Sequence, residues 1–284
     1  MNIIIHRGTH QIGGSAIEIS TASTRIILDF GNELSLDEKY TPINLDIDGV
    51  TKGILDCDGI VISHYHMDHL GQLTSALPEI PLYMGELSKE VAMIATEHQD
   101  KDLYLRLLDA NTFRGGEAFT IGNIHIRPLV IDHSAVDSYM FVIESEGKRV
   151  LYTGDFRMHG VRGHVLEKLI RTYIGNVDVL ITEGTSLSRN AHDGISEREV
   201  LDDISSYIQD GKYVFVMCSS TNIDRIMEIW HNMPTDKVLI CDAYQKRILD
   251  TVIDNVYYDS TLYRRPDSPL VIDIGAYPKY YMDN

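Results

Sequence analysis

The chain has 284 residues, 44% of them apolar, and 42 acidic against 25 basic side chains give a formal net charge of −17. That supply of apolar residues is enough for one large domain or two modest ones, and it excludes a disordered chain. The acidic balance weakens non-specific attraction to phosphate backbones; bound divalent ions and the pairs Lys148-Arg149, Lys246-Arg247 and Arg264-Arg265 would have to supply positive charge locally. Three widely spaced cysteines, Cys57, Cys218 and Cys241, make neither a disulfide framework nor a thiolate metal motif and point to a reducing, cytoplasmic setting. No basic leader opens the chain and no run approaches the ~20 apolar residues of a membrane span, so no membrane partner is expected.

In chain order, Ile3 to His6, Ala16 to Ile19 and Arg25 to Leu28 read as strands of a meander, with Gly13-Gly14 at a turn and Asp29-Phe30-Gly31 closing the third strand. Leu34 to Ile54 has little periodicity and reads as a long loop able to cover a cleft. The β-branched run Gly59-Ile60-Val61-Ile62 predicts a buried strand, and helical spacing resumes from Leu70 to Leu77. Between them, Ser63-His64-Tyr65-His66-Met67-Asp68-His69 packs three histidines and an aspartate into six positions. In an extended segment His64 and His66 point the same way, while Asp68 and His69 follow where the chain bends into the helix. Imidazole nitrogens and carboxylate oxygens at that density suit zinc and tolerate manganese or iron.

Further on, Pro81 to Met84 is a short strand. Glu86 to Leu108 is one long helix or two short ones, carrying His98 as a structural or surface residue. Phe119 to Tyr152 returns to strands, with hairpin turns at Gly122-Asn123 and Glu146-Gly147-Lys148. Val165 to Tyr173 predicts a helix and Val177 to Ile181 a buried strand. Ser196 with Glu199 forms a capping box before a helix striped by Val200, Ile204, Tyr207 and Ile208. Val214 to Cys218 as a buried strand, Ile223 to His231 as a helix and Val238 to Ile240 as a strand give βαβ alternation and a parallel sheet. Ser219, Ser220 and Asn222 then stand at a helix N-terminus, where they either hold a phosphate or simply cap the helix.

The stretch from Ser63 to His69 resembles the signature of the metallo-β-lactamase superfamily of binuclear metal hydrolases. His133 in Ile131-Asp132-His133-Ser134 and Asp155 in Thr153-Gly154-Asp155-Phe156 fall in that family's chain order. Thr182-Glu183-Gly184-Thr185-Ser186-Leu187 resembles the entry to the β-CASP domain of nucleic-acid-processing members. Residues 134–138 and 153–156 are similar to the ribonuclease J family. The resemblance implies an α/β protein, a metallo-β-lactamase αβ/βα sandwich over residues 1–182 followed by a partial β-CASP-like α/β domain over residues 183–284. It implies two divalent metal ions, zinc first and manganese second: His64, His66 and His133 hold one, and Asp68, His69 and Asp155 the other, with Asp155 bridging. Asp29 would brace the ligand loop, Asp68, Asp155 and Glu183 would be the catalytic acids, and Ser219, Ser220 and Asn222 would meet a substrate phosphate.

The activity so implied is hydrolysis of RNA or another phosphodiester by a hydroxide held between two metals, with RNA as partner and a homodimer left open. Two other readings stand beside it: a small-molecule hydrolase acting on a thioester, lactone or small phosphodiester, and a metal-binding relative without catalysis. The family pattern also leads to late histidines that return the chain to the metal site, whereas the last histidine here is His231. An N-terminal portion of a longer protein, or a shortened relative, is therefore expected, with a second metal site one ligand short and weak or no nuclease activity.

Overall fold

The computed structural model describes residues 1–34, 43–185, 187 and 195–255, and the backbone of 272–273. The chain divides into two compact units, Met1–Met158 with Arg162–Asn190, and His159–Val161 with Ala191–Asn284.

The first unit is built on two sheets. Strands β1 (Asn2–Arg7), β2 (Ala16–Ser20), β3 (Arg25–Leu28), β4 (Gly59–Val61), β5 (Leu82–Gly85) and β6 (Asn111–Phe113) lie side by side in sequence order. The meander β1-β2-β3 is antiparallel and β3 to β6 are parallel. Between β4 and β6 run the short α1 (Met67–Leu70), α2 (Glu86–Thr96) and α3 (Lys101–Leu108). The helical region expected from Glu86 to Leu108 is thus two helices, because Asp100 leaves the helical conformation and its carboxylate caps α3 through the Leu103 N–H. The second sheet is ordered β11-β10-β9-β8-β7, from β7 (Phe119–Ile121), β8 (Ile124–Ile131), β9 (Ser138–Ser145), β10 (Lys148–Tyr152) and β11 (Val179–Ile181). Both expected hairpins form, and Glu146-Gly147 adopts φ of 52° and 70°, the left-handed pair that matches strand twist.

Alternation along the strands decides what packs where. Ile17, Ile19, Ile26 and Leu28 of the first sheet meet Ile124, Ile126, Tyr139, Phe141, Ile143, Val150 and Tyr152 of the second in one buried cluster between the sheets. The intervening positions of the second sheet face outward. At one end of that face Leu129, Ile131, Met140, Val142 and Leu151 are covered by Leu166 and Ile174. These come from α4 (Leu166–Leu169) and the π-helical turn that continues it over Ile170–Ile174. At the other end the same face carries His125, Arg127, Glu144 and Arg149 and meets solvent. The chain therefore has the layered αβ/βα arrangement.

Several expectations need correction. Leu70 to Leu77 is not one helix: α1 stops at Leu70 and only a 3-10 turn, Leu73–Ser75, follows. Of the expected strand Val177 to Ile181 only Val179–Ile181 forms, and as an edge strand with Val179 and Leu180 exposed, since only β10 pairs with it among the described residues. Within Leu34 to Ile54, residues 43–54 carry no helix or strand, as expected, and 35–42 lie outside the described residues. The basic pairs are not free patches: Lys148 faces Asp178, Arg149 faces Glu144 and Lys246 faces Asp250, while Arg264-Arg265 lie outside the described residues.

In the second unit, α5 (Glu197–Asp210) opens with the capping box of Ser196 and Glu199, and it packs against α6 (Ile223–His231). Arg225 of α6 holds the buried Glu197 by two hydrogen bonds of 2.5 and 2.9 Å. Strand β12 (Ile240–Cys241) leads into α7 (Ala243–Asp254) and pairs in parallel with β13 (Ile272–Asp273). Val214 to Cys218 is not the expected buried strand: it has no strand partner among the described residues, and Phe215 and Met217 are 97% and 100% exposed. An apolar run becomes a buried strand only where neighbours cover its faces. Cys57, Cys218 and Cys241 are free thiols, and no described helix is long and apolar enough to cross a membrane.

The tightest backbone approach in the first unit lies at Gly31, where an added Cβ would fall 1.6 Å from the Asp68 carbonyl oxygen. Gly31→Ala should therefore destabilise the protein by roughly 3 kcal/mol or more, as backbone that cannot yield is forced apart. Urea denaturation of the two proteins side by side measures this.

Candidate metal centre

The histidine-rich turn is held from beneath by main chain. Its carbonyls at Met67, Asp68 and His69 accept the N–H groups of Asn32, Ser15 and Phe30 at 2.9, 3.1 and 2.7 Å. The turn also reaches the second sheet, since the Tyr139 N–H donates to the Ser63 carbonyl and the Val136 N–H to the Tyr65 hydroxyl. His66 is extended, with φ −70° and ψ 147°, and α1 starts at the next residue. His64 and His66 thus leave the strand end together, and Asp68 and His69 come from the helical turn.

Asp29, fully buried and at φ 55°, is the anchor. Its carboxylate accepts the Ser63 N–H at 2.7 Å, the Ser63 hydroxyl at 2.8 Å, His69 Nδ1 at 2.7 Å and the Tyr152 hydroxyl at 2.5 Å. Burial, reinforced by the Asp29 charge, pushes the Tyr152 phenol well above its ordinary range and keeps it a donor. With Nδ1 engaged by Asp29, His69 presents Nε2 to the cluster.

Three ring nitrogens converge on the other side. His66 Nδ1 lies 3.1 Å from both His64 Nε2 and His133 Nε2. One nitrogen with one proton or one lone pair satisfies a single such neighbour, whereas a cation among the three satisfies them all. The spacing agrees: a tetrahedral ion with ~2.0 Å arms has ligand atoms roughly 3.3 Å apart. His64, His66 and His133 form one group able to hold a metal, and His64, His69 and Asp155 form a second. His69 Nε2 is 3.3 Å from Asp155 and 3.6 Å from Asp68, and Asp155 also approaches His133 Nε2 at 4.0 Å. Asp155 thus faces histidines of both groups, while Asp68 borders the second.

The electrostatics favour the ligand form for three of the histidines. Burial first, then the neighbouring imidazoles, hold His64 well below its ordinary range, His66 at about 4 and His133 at about 3, so all three are neutral at neutral pH. His69 moves the other way. Burial alone would lower it, and the Asp29 and Asp155 carboxylates on its two sides raise it well above the ordinary value. Asp68 is raised, chiefly by burial.

The sequence-derived candidates separate into two places. His64, His66, Asp68, His69, His133 and Asp155 come together, with Asp29 beneath them. Glu183 adjoins them, accepting the Phe156 N–H at 3.1 Å, one residue beyond Asp155. Ser219, Ser220 and Asn222 lie in the second unit before α6, where Asn222 makes no side-chain cap and the Ser219 hydroxyl pairs with that of Thr221 at 2.9 Å. Sequence reasoning did not single out Tyr152, whose strand position reads as core, or Ser63, which carries two of the bonds to Asp29. The Ser-His adjacency was the only signal for Ser63.

A family model described as a beta-lactamase superfamily domain matches residues 25–240. The chain belongs to the metallo-β-lactamase superfamily. It is 27% identical over 223 residues to an RNase J-like protein of Methanocaldococcus jannaschii, covering 74% of this chain and 49% of that protein. To ribonuclease J 2 of Streptococcus pyogenes it is 26% identical, covering 78% of this chain and 41% of that enzyme. To the endoribonuclease YSH1 of Gibberella zeae it is 25% identical, covering 91% and 32%. The chain spans half or less of the length of these relatives, and it is similar to the ribonuclease J members of the superfamily's β-CASP branch. In fold it matches a crystal structure of a protein of unknown function from Enterococcus faecalis, with a TM-score of 0.75, 19% identity, and 87% of this chain and 67% of that one covered. Family membership makes the His/Asp groups a place for divalent metal ions.

Removing the anchor should cost far more than removing one of its donors. Asp29→Ala leaves buried donors from Ser63, His69 and Tyr152 unpaired and is expected to cost roughly 3–5 kcal/mol. Tyr152→Phe should cost about 1 kcal/mol. Denaturation midpoints of the two variants and the parent test the ratio.

Proposed function

We propose that this metallo-β-lactamase superfamily chain is a ribonuclease J-like, metal-dependent phosphodiesterase that hydrolyses RNA. The observation that carries the reading is the meeting of two donor groups on one shared imidazole, His64, with Asp155 facing both. The ribonucleases among its relatives support the choice of RNA. His64, His66 and His133 would hold one divalent ion, and His69, Asp155 and Asp68 the other, zinc first and manganese second. Two such ions would supply an activated water near neutral pH and positive charge against a phosphoryl group.

The chain's own residues do the rest. Asp29 holds His69 Nδ1 so that Nε2 faces the site. Glu183 holds the Phe156 N–H and thereby the loop that carries Asp155. Ser219, Ser220 and Asn222 are assigned to a substrate phosphate at the start of α6, where Asn222 makes no side-chain cap.

A second reading, hydrolysis of a small ester or phosphodiester, is favoured by the cavity that opens beside His69. It measures about 780 Å³, and its lining combines Ile5, Ile12 and Ile17 with Asp68, Asp155 and Glu183. Arg7 is its only lysine or arginine among the described residues, and that guanidinium already donates to the Ile43 carbonyl. Incubation with 5′-labelled RNA across a salt series, beside a chromogenic phosphodiester and a thioester, separates the two. Metal-dependent RNA breakdown that weakens with salt supports the first reading. Intact RNA with turnover of a small ester overturns it.

Under the proposed reading, His66→Ala and Asp68→Asn should each lower hydrolysis by roughly two orders of magnitude or more, with the far-ultraviolet circular dichroism unchanged. Near-native turnover by either variant in metal-controlled buffer would remove the turn from the catalytic centre. Glu183→Gln should reduce turnover and metal affinity while leaving the melting temperature within a few degrees, because its side chain acts on the Asp155 loop and not on the core. Unchanged kinetics and metal affinity would make Glu183 an ordinary surface acid.

A further inference from the structure

We infer that Asp132 and Arg157 form a clamp that positions His133 and ties it to the loop of Asp155, an inference that rests on the reading of His133 as a metal ligand. The need for a positioning device shows in the rings themselves. His64 Nδ1 is held by the Ser63 hydroxyl at 3.0 Å and His69 Nδ1 by Asp29 at 2.7 Å. His133 Nδ1 has no such partner among the described residues; the contacts of its ring nitrogens are those of Nε2, with His66 and Asp155. The His133 ring is therefore placed through its backbone.

That backbone is gripped at the residue before it. Asp132 is 2% exposed. One of its carboxylate oxygens accepts Arg157 Nε at 2.9 Å and the other accepts the Arg162 N–H at 3.0 Å. Its main-chain carbonyl, which belongs to the peptide bond entering His133, accepts the Arg157 N–H at 2.9 Å. Arg157 thus holds the side chain and the peptide plane of Asp132 together. Arg157 is also two residues past Asp155, and the residue between them is the one Glu183 holds by its N–H at 3.1 Å. The segment 155–157 is gripped by an acid on each side, and one of those acids adjoins His133. The clamp makes the ends of β8 and β10 a single piece, so a shift of His133 moves Asp155 as well.

A buried ion pair of this kind contributes little net stability, because desolvation of both charges offsets their attraction. Its consequence is geometric, and groups that orient a ligand from behind typically change metal affinity 10- to 100-fold. The test uses the 284-residue chain loaded with cobalt(II), read by its visible absorption and by competition with a chelator. Asp132→Asn keeps the shape but loses one acceptor. Arg157→Lys keeps the charge and the main-chain bond but loses the Nε donor that Asp132 accepts. Both are expected to bind cobalt roughly 10- to 100-fold more weakly with altered visible bands. The double variant should be no weaker than the weaker single one, as for two halves of one device.

A merely structural role would lower the melting temperature of the metal-free protein and leave the saturated cobalt spectrum as in the parent. Parent-like affinity and spectrum in Arg157→Lys, which retains both charge and backbone contact, would overturn the clamp even if Asp132→Asn failed to fold. His133→Ala is run in parallel. If it loses cobalt while the clamp variants do not, only the clamp falls. If it too binds like the parent, the assignment of His133 falls and the clamp with it.

Discussion

A carboxylate sealed from solvent must have its charge met by donors, and the site depends on how Asp29 meets that demand. Its four bonds come from Ser63 at the end of β4, His69 in α1 and Tyr152 at the last position of β10. One side chain therefore ties both sheets and the histidine turn into a fixed arrangement. The same constraint explains its left-handed backbone, a conformation that Asp tolerates better than most residues and that turns the side chain beneath the turn. Removing the carboxylate leaves several buried donors unpaired, whereas removing one donor leaves Asp29 with the others.

The sandwich supplies the other half of the geometry. Strands β3, β4, β8 and β10 end near one another, and the loops that follow them carry Asp29, the turn from His64 to His69, His133 and Asp155. Because the central cluster packs Ile, Val, Leu and aromatic side chains between the sheets, these ends are held by the core. The imidazoles of His64, His66 and His133 are then brought within 3.1 Å contacts by folding. Burial keeps them neutral, and that places a ready ligand set on a rigid frame.

The second unit has a different character. Its helices are formed by local signals, a capping box at Ser196 and an Asp242 cap on α7, while the run from Val214 to Cys218 stays exposed among the described residues. Helices satisfy their backbone internally and need only one covered face. A strand depends on partners that can be far away in sequence, so its apolar pattern is a necessary sign and not a sufficient one.

The amino-acid sequence by itself determined the density of ligand residues from His64 to His69, the hairpin at Glu146-Gly147, the cap of α5 and the limits of α6, because each is written in neighbouring residues. The likeness to the superfamily was legible for the same reason, in short contiguous motifs. Only the tertiary structure decided that Asp29 holds Tyr152, that Asp132 holds Arg157, that Val179 and Leu180 lie on an open edge and that Lys148 is matched to Asp178. These are contacts between residues dozens of positions apart, or the lack of a neighbour. Periodicity records which face of an element is apolar, but not which distant side chain will meet it.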